Sequence, residues 1–116
     1  MVRDSPATRE LALGEFVTAS GETLDGLRLR YRVVGDTEAA RENGWILVFH
    51  ALTGSADAEA WWGPLIGAGK ALDTSRHAIV SANLLGSCYG STGPMEWAAE
   101  HDEPFPEFTP ADLALA

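Results

Sequence analysis

Between residues 27 and 33 the apolar side chains Leu27, Leu29, Tyr31 and Val33 alternate with Arg28, Arg30 and Arg32. A period of two sends the two sets to opposite faces of an extended chain, which predicts an antiparallel strand near a sheet edge with one wet face. Ahead of it, residues 16–18 and the turn-rich Ser20-Gly21-Glu22 predict a short strand and a hairpin-like connection. Residues 35–44 read as a polar loop.

The pattern then changes. Residues 45–49, Trp-Ile-Leu-Val-Phe, are apolar without interruption, and a run of that kind between turn signals predicts a strand covered on both faces, as in a parallel sheet. Residues 78–82, Ala-Ile-Val-Ser-Ala, predict a second buried strand. Between them, residues 56–62 and 65–72 hold good helix formers broken by Gly63-Pro64 and Gly67-Ala68-Gly69, so short helical pieces are expected. Residues 83–94 crowd Gly86, Gly90 and Gly93 into one loop, followed by an acidic, Pro-containing surface stretch to Phe108. Thr109-Pro110-Ala111-Asp112 has a hydroxyl at the N-cap, Pro at the first helical position and an acid in the first turn, the grammar of a helix start. That helix has one or two turns before Ala116, so the pattern reads as an interrupted fold.

Strands separated by helical segments define an α/β chain, and 116 residues give room for one domain at most. Eight Lys and Arg against 17 Asp and Glu give a formal charge of -9, which repels phosphate backbones and anionic membrane surfaces and argues against nucleic acid as a partner. Cys88 is the single cysteine, so no internal disulfide forms and a cytoplasmic setting is expected. The first ten residues contain no apolar signal segment, and no stretch reaches the roughly 18 apolar residues of a membrane span.

Several residue types with chemical potential lack the company that chemistry needs. His50, His77 and His101 share no metal-ligand spacing with one another, with Cys88 or with a carboxylate pair, so no metal site is expected. A structural hydrogen bond is the expected role of His50, at a strand end, while His77 opens a strand and His101 sits in an acidic loop. Gly67-Ala68-Gly69-Lys70 ends like a phosphate-binding loop, yet Pro64 and Ala71 stand where that motif requires Gly and a hydroxyl, so Lys70 reads as a surface lysine. The Gly-rich loop of residues 83–94 has no phosphate-binding lysine either. Cys88 is followed by Glu96, Glu100, Asp102 and Glu103, an acidic setting that disfavours a thiolate nucleophile and favours a packing or pocket-lining thiol. Trp61 and Trp62 read as core or as pocket wall. No serine has the flanking glycines of a Gly-x-Ser-x-Gly nucleophile elbow: Tyr89 precedes Ser91 by two positions and Leu85 precedes Ser87.

Four linked stretches, His50-Ala51-Leu52-Thr53-Gly54-Ser55, Trp61-Trp62, Gly67-x-Gly69-Lys70-x-Leu72-Asp73-Thr74 and Asn83-x-Leu85-Gly86-Ser87-Cys88-x-Gly90-Ser91-Thr92-Gly93-Pro94, occur in an order that resembles homoserine O-acetyltransferases. Ala68, where that family usually has Pro, and Pro110 near the last helix start are local departures. The resemblance implies the N-terminal part of one α/β-hydrolase-fold domain, residues 1–116, ending before the nucleophile elbow.

It further implies acetyl transfer from acetyl-CoA to L-homoserine on the way to methionine, by a ping-pong route through an acyl-serine. Acetyl-CoA enters as co-substrate, with no resident cofactor, and the full-length protein is expected as a homodimer. In such folds the loop after the third strand supplies one backbone N–H of the oxyanion hole, which makes Leu52 the donor carried by this chain; an ordinary strand-to-helix turn is the plainer reading of the same residues. Thr53, Gly54, Ser55, Asn83, Gly86, Ser87, Cys88 and Gly90 are carried over as a substrate-pocket wall. The Ser, Asp and His of the triad are not among these residues, so the 116-residue piece alone is expected to be inactive. A serine O-acetyltransferase or a succinyl-CoA-dependent relative is the alternative within the enzyme class, and a non-catalytic remnant or binding module the alternative outside it.

Overall fold

The alternation at residues 27–33 becomes a long strand in the computed structural model, which describes residues 8–51, 54–87 and 90–116. In chain order the elements are β1 (Thr8–Ala12), β2 (Phe16–Val17), β3 (Thr23–Leu24), β4 (Arg28–Gly35), α1 (Thr37–Asn43), β5 (Trp45–Val48), α2 (Ala58–Trp62), β6 (Ala78–Ala82), α3 (Pro94–Glu100) and α4 (Pro110–Leu115). The hydrogen-bonded strand order is β1-β4-β6-β5, with β2 and β3 as a separate antiparallel pair. β4 lies antiparallel to β6, Tyr31 opposite Ala82, and β5 lies parallel to β6, Trp45 opposite Ala78. The chain divides into two compact units, one of Glu10–Arg30 with Asn83–Ala116, the other of Tyr31–Ala82 with the segment ending at Arg9.

β4 lies near a sheet edge as expected, the edge itself being β1, formed by residues with no strand signature of their own. Two expectations are corrected by this arrangement. β4 itself is half-buried from Arg28 to Val34, and its polar face is not simply wet. Arg28 pairs with Glu100 at 3.3 Å and Arg32 with Glu59 at 2.7 Å, so the arginine stems cover the strand. β5, expected to be covered on both faces, is the other end of the sheet: Ile46 and Val48 turn inward, but Trp45, Leu47 and Phe49 are 52%, 61% and 70% exposed.

Helix boundaries also differ from the pattern. Residues 35–44 contain α1, started by Asp36, whose Oδ1 accepts from the Glu38 and Ala39 N–H groups at 3.0 Å, and stopped at Gly44. The acidic stretch after residue 93 contains α3, with Pro94 in its first turn and the Glu96 carboxylate accepting from the Gly93 N–H at 3.0 Å. Residues 65–72 form no helix. Gly67 and Gly69 take positive φ, and Leu65 and Gly67 exchange hydrogen bonds with Leu72, closing a tight loop instead.

Each unit has its own core. In the first, Phe16, Leu24, Leu27, Leu85 and Trp97 are buried, with Leu13, Leu29, Phe105, Phe108 and Leu113 against them. α4 joins this core through Asp112, whose Oδ2 accepts from the Thr109 N–H at 2.8 Å while Oδ1 accepts from the Ala19 N–H at 2.8 Å. One carboxylate therefore caps α4 and ties it to the chain after β2. In the second unit Val48, Ala58, Ile66 and Ile79 are buried, with Ile46, Trp61 and Leu72 around them.

Leu27 is fully buried and Met95 is 82% exposed. Leu27→Ala is therefore expected to lower unfolding free energy by about 2–5 kcal/mol and Met95→Ala by less than about 0.5, read from denaturant titrations. The hydrogen bonds from Thr109 hold the Asp112 carboxyl below its ordinary pKa, aided by the bond from Ala19 and opposed by burial. A depressed carboxylate pKa gives stability that is present above about pH 4 and lost as pH falls through the lowered value. The difference in melting temperature between wild type and Asp112→Asn is accordingly expected to be largest near pH 6 and to shrink toward pH 2.5, followed by circular dichroism.

Candidate functional site

β5 hands the chain directly into the first candidate loop, in the second unit. His50 Nδ1 lies 2.6 Å from the Ala51 carbonyl oxygen, which keeps the imidazole in a local structural contact as expected. The Gly54 N–H donates to the same carbonyl at 2.8 Å, so residues 51 and 54 are tied across the turn. A side chain at Gly54 would press on Ala51 and on the His50 Cβ at 3.2 Å. Leu52 and Thr53, the named oxyanion donor and its neighbour, lie outside the described residues.

The far end of this loop is held by several contacts. Trp61 Nε1 donates to the Ser55 carbonyl at 3.1 Å, the Asp57 N–H donates to Ser55 Oγ at 3.3 Å, and Ala56 and Ala58 are buried. Trp61 thus serves the core, while its edge-on neighbour Trp62 is 41% exposed. Arg32, which sequence reasoning placed only as a polar strand position, donates from Nε and Nη2 to Glu59 Oε1 at 2.9 and 2.7 Å. Arg and Glu 27 residues apart carry no local signal of pairing, so only the fold reveals this contact.

The second candidate loop follows β6 and belongs to the first unit. β6 pairing ends at Ala82, and the loop takes over the hydrogen bonding of β4. The Asn83 N–H donates to the Arg30 carbonyl at 2.8 Å and the Thr92 N–H to the Arg28 carbonyl at 2.8 Å. In return the Arg30 N–H donates to Ser91 Oγ at 2.8 Å and the Arg28 N–H to Thr92 Oγ1 at 2.7 Å. Ser91 Oγ also donates to the Asn83 carbonyl, and both hydroxyl residues are buried.

Two side-chain hydroxyls thus stand in for strand carbonyls, and β4 keeps its partners where regular pairing stops. Ser-Thr before Gly-Pro is the one sequence signal of this bracing. Of the residues read as pocket wall, Asn83 is buried, Gly86 is exposed and bonds through its N–H to the Thr92 carbonyl, and Ser87 is half-buried with an Oγ that meets no partner among the described residues. Gly90 has φ +103 and lies against the Arg30 side chain. Cys88 lies outside the described residues. The loop is a braced wall of hydroxyl, amide and glycine backbone.

The remaining histidines are structural. His77 Nδ1 contacts the Gly44 carbonyl at 3.0 Å, and His101 stacks on Trp97 with centroids 3.6 Å apart at the end of α3, within the first unit's core. Lys70 is exposed and donates to the Gly63 carbonyl at 2.9 Å. Among the described residues no group of three His, Cys, Asp or Glu gathers as metal ligands.

A strand that ends in a tied turn before a short helix, followed by a strand that ends in a glycine-rich braced loop, is the front of an α/β-hydrolase fold. The solved structures agree. The homoserine O-acetyltransferase from Bacillus anthracis matches 93% of this chain with TM-score 0.79 at 26% identity, and that from Staphylococcus aureus matches 93% with TM-score 0.74 at 32% identity. Esterase E22 also superposes, with TM-score 0.77 at 26% identity. The chain covers 34%, 32% and 34% of those structures respectively.

Sequence narrows the class. The homoserine O-acetyltransferase of Nostoc punctiforme is 46% identical over 102 residues, 84% of this chain, and that of Haloarcula marismortui 41% identical over 122 aligned positions, 91% of this chain. The chain is a segment of the homoserine O-acetyltransferase family, spanning 28% and 30% of the length of those two relatives. No family model matches it.

The braced loop gives a direct check. Ser91→Ala removes the Oγ that accepts from the Arg30 N–H and donates to the Asn83 carbonyl, an expected loss of about 1–3 kcal/mol of stability by denaturant titration. Gly93→Ala is expected to cost a similar amount, about 1–3 kcal/mol, because the added methyl collides with the Ser87 carbonyl oxygen.

Proposed function

We propose that this chain is part of an acyltransferase that moves the acetyl group of acetyl-CoA to the hydroxyl of L-homoserine, a step toward methionine, by a ping-pong route through an acyl-serine. The observation that carries the reading is 41% to 51% identity with homoserine O-acetyltransferases of several organisms, over 67% to 91% of this chain. Leu52 supplies one oxyanion-hole N–H from the loop after β5. Thr53, Gly54 and Ser55 on the first loop are substrate-facing in this reading, and so, each considered on its own loop, are Asn83, Gly86, Ser87, Cys88 and Gly90 on the second. No resident cofactor is needed for this chemistry, since CoA leaves with the proton and the acyl group passes from thioester to serine to homoserine. The working enzyme is a cytoplasmic homodimer in this proposal; no helix among the described residues is long and apolar enough to cross a membrane.

Residues 1–116 contain no Gly-x-Ser-x-Gly, so on their own they are expected not to release CoA from acetyl-CoA in the presence of homoserine, whereas the gene product that contains them is expected to do so. Homoserine-dependent thiol release by residues 1–116 alone overturns the first statement. Hydrolysis of acetyl esters by the gene product without transfer to homoserine overturns the second and favours the esterase likeness. Ratios of kcat/KM for homoserine against serine, with acetyl-CoA and succinyl-CoA, decide acceptor and donor. In the active gene product Leu52→Pro, which removes the N–H, is expected to lower kcat about 10²- to 10³-fold, read from initial rates.

A further inference from the structure

The loop between β5 and α2 is fixed at its near end by the β5–β6 ladder, where Val48 lies opposite Ser81. Its far end is held by the bond from Trp61 Nε1 to the Ser55 carbonyl, while α2 by itself adds little. α2 has five residues, and Asp57 at its N-cap makes no side-chain capping bond. A helix of that length does not hold itself in place, and an uncapped start leaves its first N–H groups unsupported by side chains. The two acids at this start, Asp57 and Glu59, instead approach Arg32 on β4: Glu59 Oε1 accepts from Nε at 2.9 Å and from Nη2 at 2.7 Å, and Asp57 Oδ1 lies 3.6 Å from Nε. Arg32 Nη1 also donates to Thr8 Oγ1 on β1 at 3.4 Å. The Arg32 side chain is 20% exposed, and its Cα is set by pairing opposite Ser81.

We propose that Arg32 is a positioning residue for the β5–α2 loop, anchoring the start of α2, where the loop ends, to β4; this rests on the oxyanion reading of that loop. A planar guanidinium presents donors in a rigid fork, so the hold is directional as well as electrostatic. Backbone donors stabilise developing negative charge in proportion to how little they must reorganise. Without Arg32 the far end keeps the Trp61–Ser55 and Asp57–Ser55 bonds but loses its tie to β4, and so reorganises more.

The test compares wild type, Arg32→Ala, Arg32→Lys, Glu59→Ala and the swap Arg32→Glu with Glu59→Arg, in the gene product that contains residues 1–116. Amide hydrogen exchange is followed over residues 54–60 and, as control, residues 105–116. Exchange over residues 54–60 is expected to accelerate about tenfold in Arg32→Ala and Glu59→Ala, with residues 105–116 unchanged and the swap recovering protection. Arg32→Lys, which keeps charge and loses the fork, is expected to fall between. In initial-rate assays with acetyl-CoA and homoserine, kcat is expected to fall about tenfold for Arg32→Ala while KM for homoserine stays within about twofold. Unchanged exchange, equal acceleration in both segments, or accelerated local exchange with unchanged kcat overturns the proposal. A wild-type protein that transfers no acetyl group removes the acyltransferase reading itself, and the exchange data then judge the anchor separately.

Discussion

The pairing of β6 on both sides is the constraint on which the second unit rests. β6 bonds antiparallel to β4 and parallel to β5, and its Ile79 is buried with Val48, Ala58 and Ile66. Five residues thereby fix the register of three strands. A one-residue slip would turn Ile46 and Val48 outward and Trp45 and Leu47 inward, so the apolar contacts of this small core and the ladder specify the same alignment. The positions at which β5 ends and the next loop begins follow from that alignment.

The first unit solves a different problem. β4 continues beyond the reach of regular β6 pairing, and unpaired backbone groups at buried positions are costly. Ser91 and Thr92 meet that need with their hydroxyls, returning the chain along β4 while Gly90 leaves room for the Arg30 side chain. Asp112 does comparable work at α4, where a single buried carboxylate serves the Thr109 and Ala19 N–H groups. Polar side chains that substitute for backbone partners brace the glycine-rich loop and, together with Leu113 packed on the core, the last helix.

The outward face of β5 poses a third problem. Trp45, Leu47 and Phe49 are apolar and open, a state that a half-covered sheet edge maintains at the risk of association. The curated relatives are more than three times as long as the aligned segment.

What the sequence determined by itself were the features written in local chemistry. The period-two pattern located β4, the apolar runs located β5 and β6, and Thr109-Pro110 with Asp112 marked the start of α4, because each reflects a preference expressed within a few neighbouring residues. The four linked motifs carried family membership for the same reason, as order along the chain. Tertiary structure decided what depends on distant partners. Residues 65–72 closed into a loop because Gly67 and Gly69 at positive φ outweighed the helix formers around them, and Thr8–Ala12 became a strand because β4 offered an edge to pair with. β5 is open on one face although its composition matches a buried strand, since coverage is a property of what packs on a strand and not of the strand. The Arg32–Glu59 anchor and the hydroxyl bracing of β4 join residues 27, 61 and 64 positions apart, and contacts at such separations leave no periodicity for a sequence to show.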